Sequence, residues 1–322
     1  MTNTHEDVVV TASSPGKIII VGEHFVVHEA YAVAAAINKR VTVIASKDGT
    51  RKVRFVSQGR DYYFPGTLAR RFFPAPSSVM NEIFERFGKC EEGMSIEIRS
   101  EIPRGSGLGS SAAVSVATAA AVTRIMGKKL SLEEISKIAM KGEAAIHGNP
   151  SGIDVETSLR GGVVLFSKSS GAKPIALEKG IEILIAFSGK SRNTSALISS
   201  VALIRKKYPN TFAHLVESSS FLSLQAVDAL CRGDLPYLGA IMNIAQPILD
   251  WIGVSNDKLD RMLEDARSGR VFGAKITGAG GGGSIIVLPR PGTAKEVIDR
   301  LEAESKYVFS TLIPQEGLKV EQ

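Results

Sequence analysis

Pro103-Arg-Gly-Ser-Gly-Leu-Gly-Ser-Ser-Ala-Ala113 is the stretch on which the reading of this chain turns. Glycines at 105, 107 and 109 alternate with other residues, and two serines then open an Ala/Val-rich helical run from Ala112 to about Ile125. Glycine lets a backbone turn tightly and lie close against a ligand. The first amides of the helix have no intrahelical acceptor and sit at the positive end of its dipole. Together these features make a cup for an anion, most often a phosphate. A Gly-x-Gly-x-Gly standing alone reads equally well as a plain turn before a core helix, so its company decides.

Better-known phosphate loops do not fit. The Walker pattern needs Gly-x-x-x-x-Gly-Lys-Ser/Thr, and Gly189-Lys190-Ser191 is preceded by Leu184 where that pattern has its first glycine. The dinucleotide pattern Gly-x-Gly-x-x-Gly fails at the central loop, because the third glycine comes one residue early.

At 322 residues the chain predicts one large or two medium domains. Composition, 44% hydrophobic and 22% charged, is that of an ordinary globular protein, with no apolar run of transmembrane length. Met1–Asp7 reads as a frayed polar tail and not as a secretory signal. Cys90 and Cys231 lie far apart without metal-ligand spacing, which predicts a reducing, cytoplasmic setting. A net charge of +6 suits anionic ligands. The basic runs Arg70-Arg71 and Arg205-Lys206-Lys207 lack interleaved aromatics and read as solvated helix faces, so neither nucleic acid nor membrane is the expected partner.

Apolar patterning predicts strands at 8–12 and 17–21 separated by a hairpin-like Ser13-Ser14-Pro15-Gly16, then at 32–37, 41–46, 53–57, 61–64, 94–100 and 161–166. Helices are expected at 78–87, after the glycine loop, and from the capping box Ser131-Leu-Glu-Glu134 to the stop at Gly148-Asn149-Pro150. A softer stretch, 168–180, suggests passage to a second domain, giving 1–175 and 176–322. The second half predicts a strand at 182–187, helices over 194–207, 211–232, 235–251 and 258–268, and strands at 274–276 and 284–287 flanking Thr277-Gly-Ala-Gly-Gly-Gly-Gly283. A helix opened by a second capping box, Thr293-Ala-Lys-Glu296, and a last strand at 307–312 follow. The class is α+β, a strand-rich half before a helix-rich one.

Three segments, Pro15-Gly-Lys-Ile-Ile-Ile-Val-Gly-Glu-His24, the central loop, and Lys275-Ile-Thr-Gly-Ala-Gly-Gly-Gly-Gly283, resemble in the right order the signatures of the GHMP kinases (galactokinase, homoserine kinase, mevalonate kinase, phosphomevalonate kinase). Within that superfamily, Gly22-Glu-His-Phe-Val-Val-His28 and Ile146-His-Gly-Asn-Pro-Ser-Gly-Ile-Asp154 look like the mevalonate kinases, although Phe25 and Glu29 depart from the commonest animal spelling, Ala and Gly. The resemblance implies a two-domain α+β fold, a ribosomal-protein-S5-domain-2-like N-terminal half and a ferredoxin-like C-terminal half, with the site between them. It also implies ATP and (R)-mevalonate as substrates, Mg²⁺ as the metal, and admits a homodimer.

Carried over residue by residue, the resemblance makes Pro103, Arg104, Gly105, Ser106, Gly107, Leu108, Gly109, Ser110, Ser111 and Ala112 the nucleotide loop, and Ser111 and Glu143 the metal ligands. Hydroxyl and carboxylate are hard oxygen donors, which suits Mg²⁺. It makes Asp154 the proton acceptor and Lys17 its cationic partner, a pairing that keeps the carboxylate charged and steadies the acceptor oxygen. Glu23, His24, Ser151 and Thr194 fall to the acceptor, and the helix starting near Thr194 has amides to offer a carboxylate. Taken singly these residues read differently: Glu143 as a solvated helix-face carboxylate, Lys17 as a strand-end lysine reaching for water. Two rivals stay open at this stage, a sister kinase with a phosphorylated or sugar acceptor and a catalytically silent nucleotide sensor.

Overall fold

A computed structural model describes residues 8–57, 59–190 and 194–321. The expected polar tail at 1–7 lies outside the described residues. The first half is built on an eight-stranded sheet. Its frame is a pair of long antiparallel strands, β1 (Val9–Val21) and β2 (Ala32–Ser46), followed by β3 (Val53–Ser57), β4 (Arg60–Phe64), β5 (Met94–Ser100), β6 (Val163–Ser167) and β7 (Gly171–Ile175). The main path runs β1-β2-β5-β3-β4, with β3 and β5 parallel, while β6 pairs with the first part of β2 and with β7.

The segment Ser13-Ser14-Pro15-Gly16 is not a hairpin. It lies inside β1, which stays paired with β2 on both sides of it, with register shifts between Pro15 and Lys17 and again between Ile19 and Val21. The reason is close approach: a Cβ at Gly16 would stand 2.7 Å from the Leu108 carbonyl oxygen. The proline and glycine therefore make a bulge on which the central loop rests.

Among the described residues, the α-helices that accompany this sheet are α1 (Thr67–Phe72), α2 (Pro74–Phe87), α3 (Ser110–Ile125), α4 (Leu132–His147) and α5 (Ile153–Arg160). Helix α3 is buried nearly all round, and its small residues let α2, α4 and the sheet close on it. Gly142 of α4 allows the closest approach, since a Cβ there would lie 2.2 Å from Ser115 Oγ. The capping box of α4 forms as its sequence predicts: Ser131 Oγ accepts from Glu134 N–H and the Glu134 carboxylate accepts from Ser131 N–H.

The second sheet contains β8 (Ile181–Phe187), β9 (Val271–Thr277), β10 (Ser284–Pro289) and β11 (Tyr307–Ile313) in the antiparallel order β11-β8-β10-β9. Between β8 and β9 lie α6 (Thr194–Lys207), α7 (Pro209–Arg232), α8 (Leu235–Trp251) and α9 (Asp257–Ser268), and α10 (Ala294–Glu302) joins β10 to β11. This is the ferredoxin-like β-α-β-β-α-β plan with its first crossover expanded into the helices α6 to α9. Thr293 stands at the N-cap of α10, but the expected capping box is absent: its Oγ1 donates instead to the carbonyls of Arg270 and Arg290. After β11 the chain returns to the first sheet, where β12 (Lys319–Glu321) pairs with β1.

One apolar core spans both halves. Ile18, Ile20 and Val33 of the first sheet are buried with Ile183, Ile185 and Ile286 of the second and with Ala226 and Met242 of α7 and α8. No helix among the described residues is long and apolar enough to cross a membrane.

Candidate active site

The three glycine-bearing segments converge at the seam between the halves. In the central loop, Gly105, Gly107 and Gly109 have φ of 75°, 80° and 74°, a left-handed geometry open to glycine. Three of the loop's carbonyls are engaged with the protein. Ser106 Oγ donates to Pro103 O at 2.7 Å, Ser284 Oγ of β10 donates to Ser106 O at 2.9 Å, and Lys17 N–H donates to Leu108 O at 2.9 Å. With these acceptors occupied, the amides leading into α3 are the groups left to face an anion. Ser106 and Leu108 are themselves buried, so their offering to a ligand is backbone.

Beside the loop lies a cavity of about 320 Å³. Lys17, Glu23, His24, Glu143, Ser151 and Asp154, all singled out from the sequence, line it together. Lys17 Nζ stands 2.8 Å from Asp154 Oδ1, with the lysine 2% and the aspartate 27% exposed. Asp154 is held by α5, which the sequence reading did not anticipate: the Pro-Ser-Gly turn leads into a helix whose N-cap is Gly152 (φ 100°). A carboxylate in the first turn of a helix meets the positive end of its dipole. Ser151 Oγ accepts from Ile153 N–H at 3.4 Å and so also shapes this turn.

Lys17 is positioned from the other side by the loop, because Gly109 leaves room for its stem; a Cβ there would lie 2.9 Å from Lys17 Cγ. Glu143 is buried, reaches the cavity from α4, and has its Oε2 3.9 Å from His147 Nε2. That nitrogen is 3.4 Å from Ser111 Oγ at the start of α3. One buried carboxylate and one hydroxyl thus flank the same imidazole nitrogen near the start of α3. Among the described residues no three His, Cys, Asp or Glu side chains are grouped to hold a metal by themselves. The oxygen pair fits Mg²⁺, which takes few protein ligands and fills its shell with phosphate oxygens and water.

Glu23 and Lys275 form a fully buried ion pair, and Lys275 Nζ also donates to Ile276 O at 2.6 Å. Burial pushes the Glu23 carboxyl up and the Lys275 ammonium down, and each partner opposes the other's shift. The pair joins the first signature segment to the third. Thr277 Oγ1 adds a clasp, accepting from Ile19 N–H at 2.8 Å and donating to Ile19 O at 3.0 Å. His24, at a φ of 62°, has its Nε2 3.0 Å from Ala279 O. A carbonyl only accepts, so that nitrogen carries the proton. The second glycine run therefore supports the cavity wall, where Gly278 and Ala279 are exposed to it.

The sequence reading missed Lys275, Thr277 and Arg205 as neighbours of the site. A lysine centred in the apolar strand Val-Phe-Gly-Ala-Lys-Ile-Thr was a signal for a buried partner. Arg205, read as part of a solvated face, is exposed and also lines the cavity. Pro103 and Arg104 face a separate cleft with Lys39, Lys306 and Tyr307. The side chain of Thr194 lies outside the described residues, although helix α6 begins there as expected.

A loop of left-handed glycines feeding a helix, beside a lysine–aspartate pair at the junction of two α+β halves, defines a small-molecule kinase. The chain belongs to the GHMP kinases: the family model for the GHMP kinases N terminal domain matches residues 75–162 and that for the GHMP kinases C terminal domain matches 226–306. It is 34% identical to the mevalonate kinase of Aeropyrum pernix, over 97% of this chain and 98% of that one. It is also 34% identical to the mevalonate kinase of Pyrococcus furiosus at the same coverage of both chains. In structure it is similar to L. major mevalonate kinase in complex with R-mevalonate, with a TM-score of 0.84, 25% identity, and coverage of 98% of this chain and 99% of the other.

Proposed function

We infer that this chain is an ATP-dependent mevalonate kinase that transfers the γ-phosphoryl group of ATP to the 5-hydroxyl of (R)-mevalonate, a step of the mevalonate route to isoprenoids. The observation that carries the reading is the Lys17–Asp154 pair, 2.8 Å apart at the wall of a cavity beside the glycine loop.

Phosphoryl transfer asks for positioning and charge stabilisation more than for covalent chemistry. The amides from Gly105 to Ala112 hold the nucleotide phosphates. Asp154 takes the proton of the acceptor hydroxyl as its oxygen bonds to phosphorus and the bond to the leaving ADP breaks. Lys17 holds Asp154 in place and offsets the negative charge that gathers on the acceptor oxygen. Ser111 and Glu143 would hold Mg²⁺, which supplies charge neutralisation between the phosphates when bound. Glu23, His24, Ser151 and Thr194 are assigned to the acceptor. With free Cys90 and Cys231 the protein suits the reducing cytoplasm.

The test is ADP release by the purified protein with (R)-mevalonate, phosphomevalonate, galactose and homoserine, each with and without Mg²⁺. Mevalonate-dependent, Mg²⁺-dependent turnover is expected. Turnover of another acceptor in preference, or tight ATP binding without any turnover, overturns the reading.

A further inference from the structure

We propose that Arg205 is an acceptor-specificity residue of this site, its guanidinium receiving the carboxylate of the acceptor. The proposal rests on the reading of the cavity as a mevalonate site.

Among the described residues, the lysine and arginine side chains that line the cavity are Lys17 and Arg205. Lys17 is committed to Asp154. Arg205 has no carboxylate within ion-pair distance among the described residues; one of its N–H groups donates to His28 Nδ1 at 3.4 Å. A guanidinium only donates, so that imidazole nitrogen is unprotonated and the ring carries its hydrogen on Nε2. His28 is fixed edge-on against Phe212, with ring centroids 5.1 Å apart at 88°. Partial burial, together with the charges of Arg205 and Lys168, holds His28 below its ordinary 6.5 and keeps it a neutral acceptor. The arginine at the cavity mouth is thereby tethered on one edge, and its remaining donors are available to a ligand inside.

The acceptor's own chemistry sets the direction. With its reacting hydroxyl at Asp154, mevalonate places its carboxylate at the far end of a short chain. That charge is repelled by the wall bearing Asp154 and Glu143 and attracted to the wall bearing Arg205. A planar fork of donors matches a carboxylate in shape as well as charge.

The experiment compares wild type, Arg205→Gln and Arg205→Lys with two acceptors: mevalonate, and the neutral triol in which a hydroxymethyl group replaces the carboxylate. Arg205→Gln is expected to lower kcat/KM for mevalonate roughly 10- to 100-fold, chiefly through KM, and to shrink the mevalonate-to-triol preference by a similar factor. KM for ATP stays put and Arg205→Lys recovers part of the preference. Equal losses with both acceptors, or no loss with either, overturn the proposal while leaving the kinase reading intact. A wild-type enzyme that turns over neither acceptor overturns both, which distinguishes the two failures.

Discussion

Glu23 and Lys275, 252 residues apart in the chain, meet as a buried ion pair at the wall of the cavity, the lysine 0% and the glutamate 2% exposed. Removing one member leaves the other charged and without water. Lys275→Met should therefore destabilise the protein by about 3–5 kcal/mol, read from guanidinium denaturation. Glu23→Gln combined with Lys275→Met should be less damaged than Lys275→Met alone, because no lone charge remains. A double variant at least as unstable as the single one contradicts this account.

Asp154 and Lys17, paired at 2.8 Å, are expected to act as a unit. Asp154→Ala should lower kcat roughly 10²- to 10⁴-fold while nucleotide affinity, measured by titration, stays nearly intact. Lys17→Met should lose comparably, and the double variant far less than the product of the two losses, since each residue works through the other. An Asp154→Ala enzyme of near-normal kcat removes the aspartate from the mechanism.

Gly109 has two reasons to be glycine, its φ of 74° and the lysine stem beneath it. Gly109→Ala should cost about 1–2 kcal/mol from backbone conformation and also push Lys17 away from Asp154. The expected signature is a fall in kcat larger than the loss of thermal stability accounts for. A stable variant with unchanged kcat shows that the loop and the lysine are independent.

His28 gives the stability a pH dependence whose sign follows from its lowered pKa. The unfolded chain takes up the proton near 6.5, whereas the folded ring resists it until lower pH, chiefly through desolvation. The neutral ring's contribution is thus complete above about pH 6.5 and is lost as pH falls from there toward the folded value. Urea unfolding at a series of pH values should show wild type losing stability over that interval and His28→Asn losing less. Parallel curves for the two proteins rule the residue out as a source.

The sequence exposed what repeats a local rule and hid what depends on partners. The glycine spacing, the strand alternation at Met94–Ser100 and the capping box at Ser131 are local, and all three are found in the fold. The Ser13–Gly16 segment misled because a proline–glycine pair spells a turn in either context, and the Leu108 carbonyl that makes it a bulge is distant in sequence. Helix α5 is short and follows a turn signal, so periodicity had little length in which to appear. At the site, resemblance brought out the residues that line the cavity, Lys17, Glu143 and Asp154 among them. Lys275 and Arg205 escaped, one hidden as a lone charge in a buried strand and the other inside a basic run. Only packing distinguishes such residues from ordinary surface charge.

The cavity takes Lys17 and Asp154 from one half of the chain, and part of its wall, through Val201, Ala202 and Arg205, from a helix inserted in the other. The insert can be rewritten without touching Lys17, Asp154 or the glycine loop. A lineage built on this plan is free to exchange one alcohol for another by drift in a single helix, keeping its chemistry while it changes its diet.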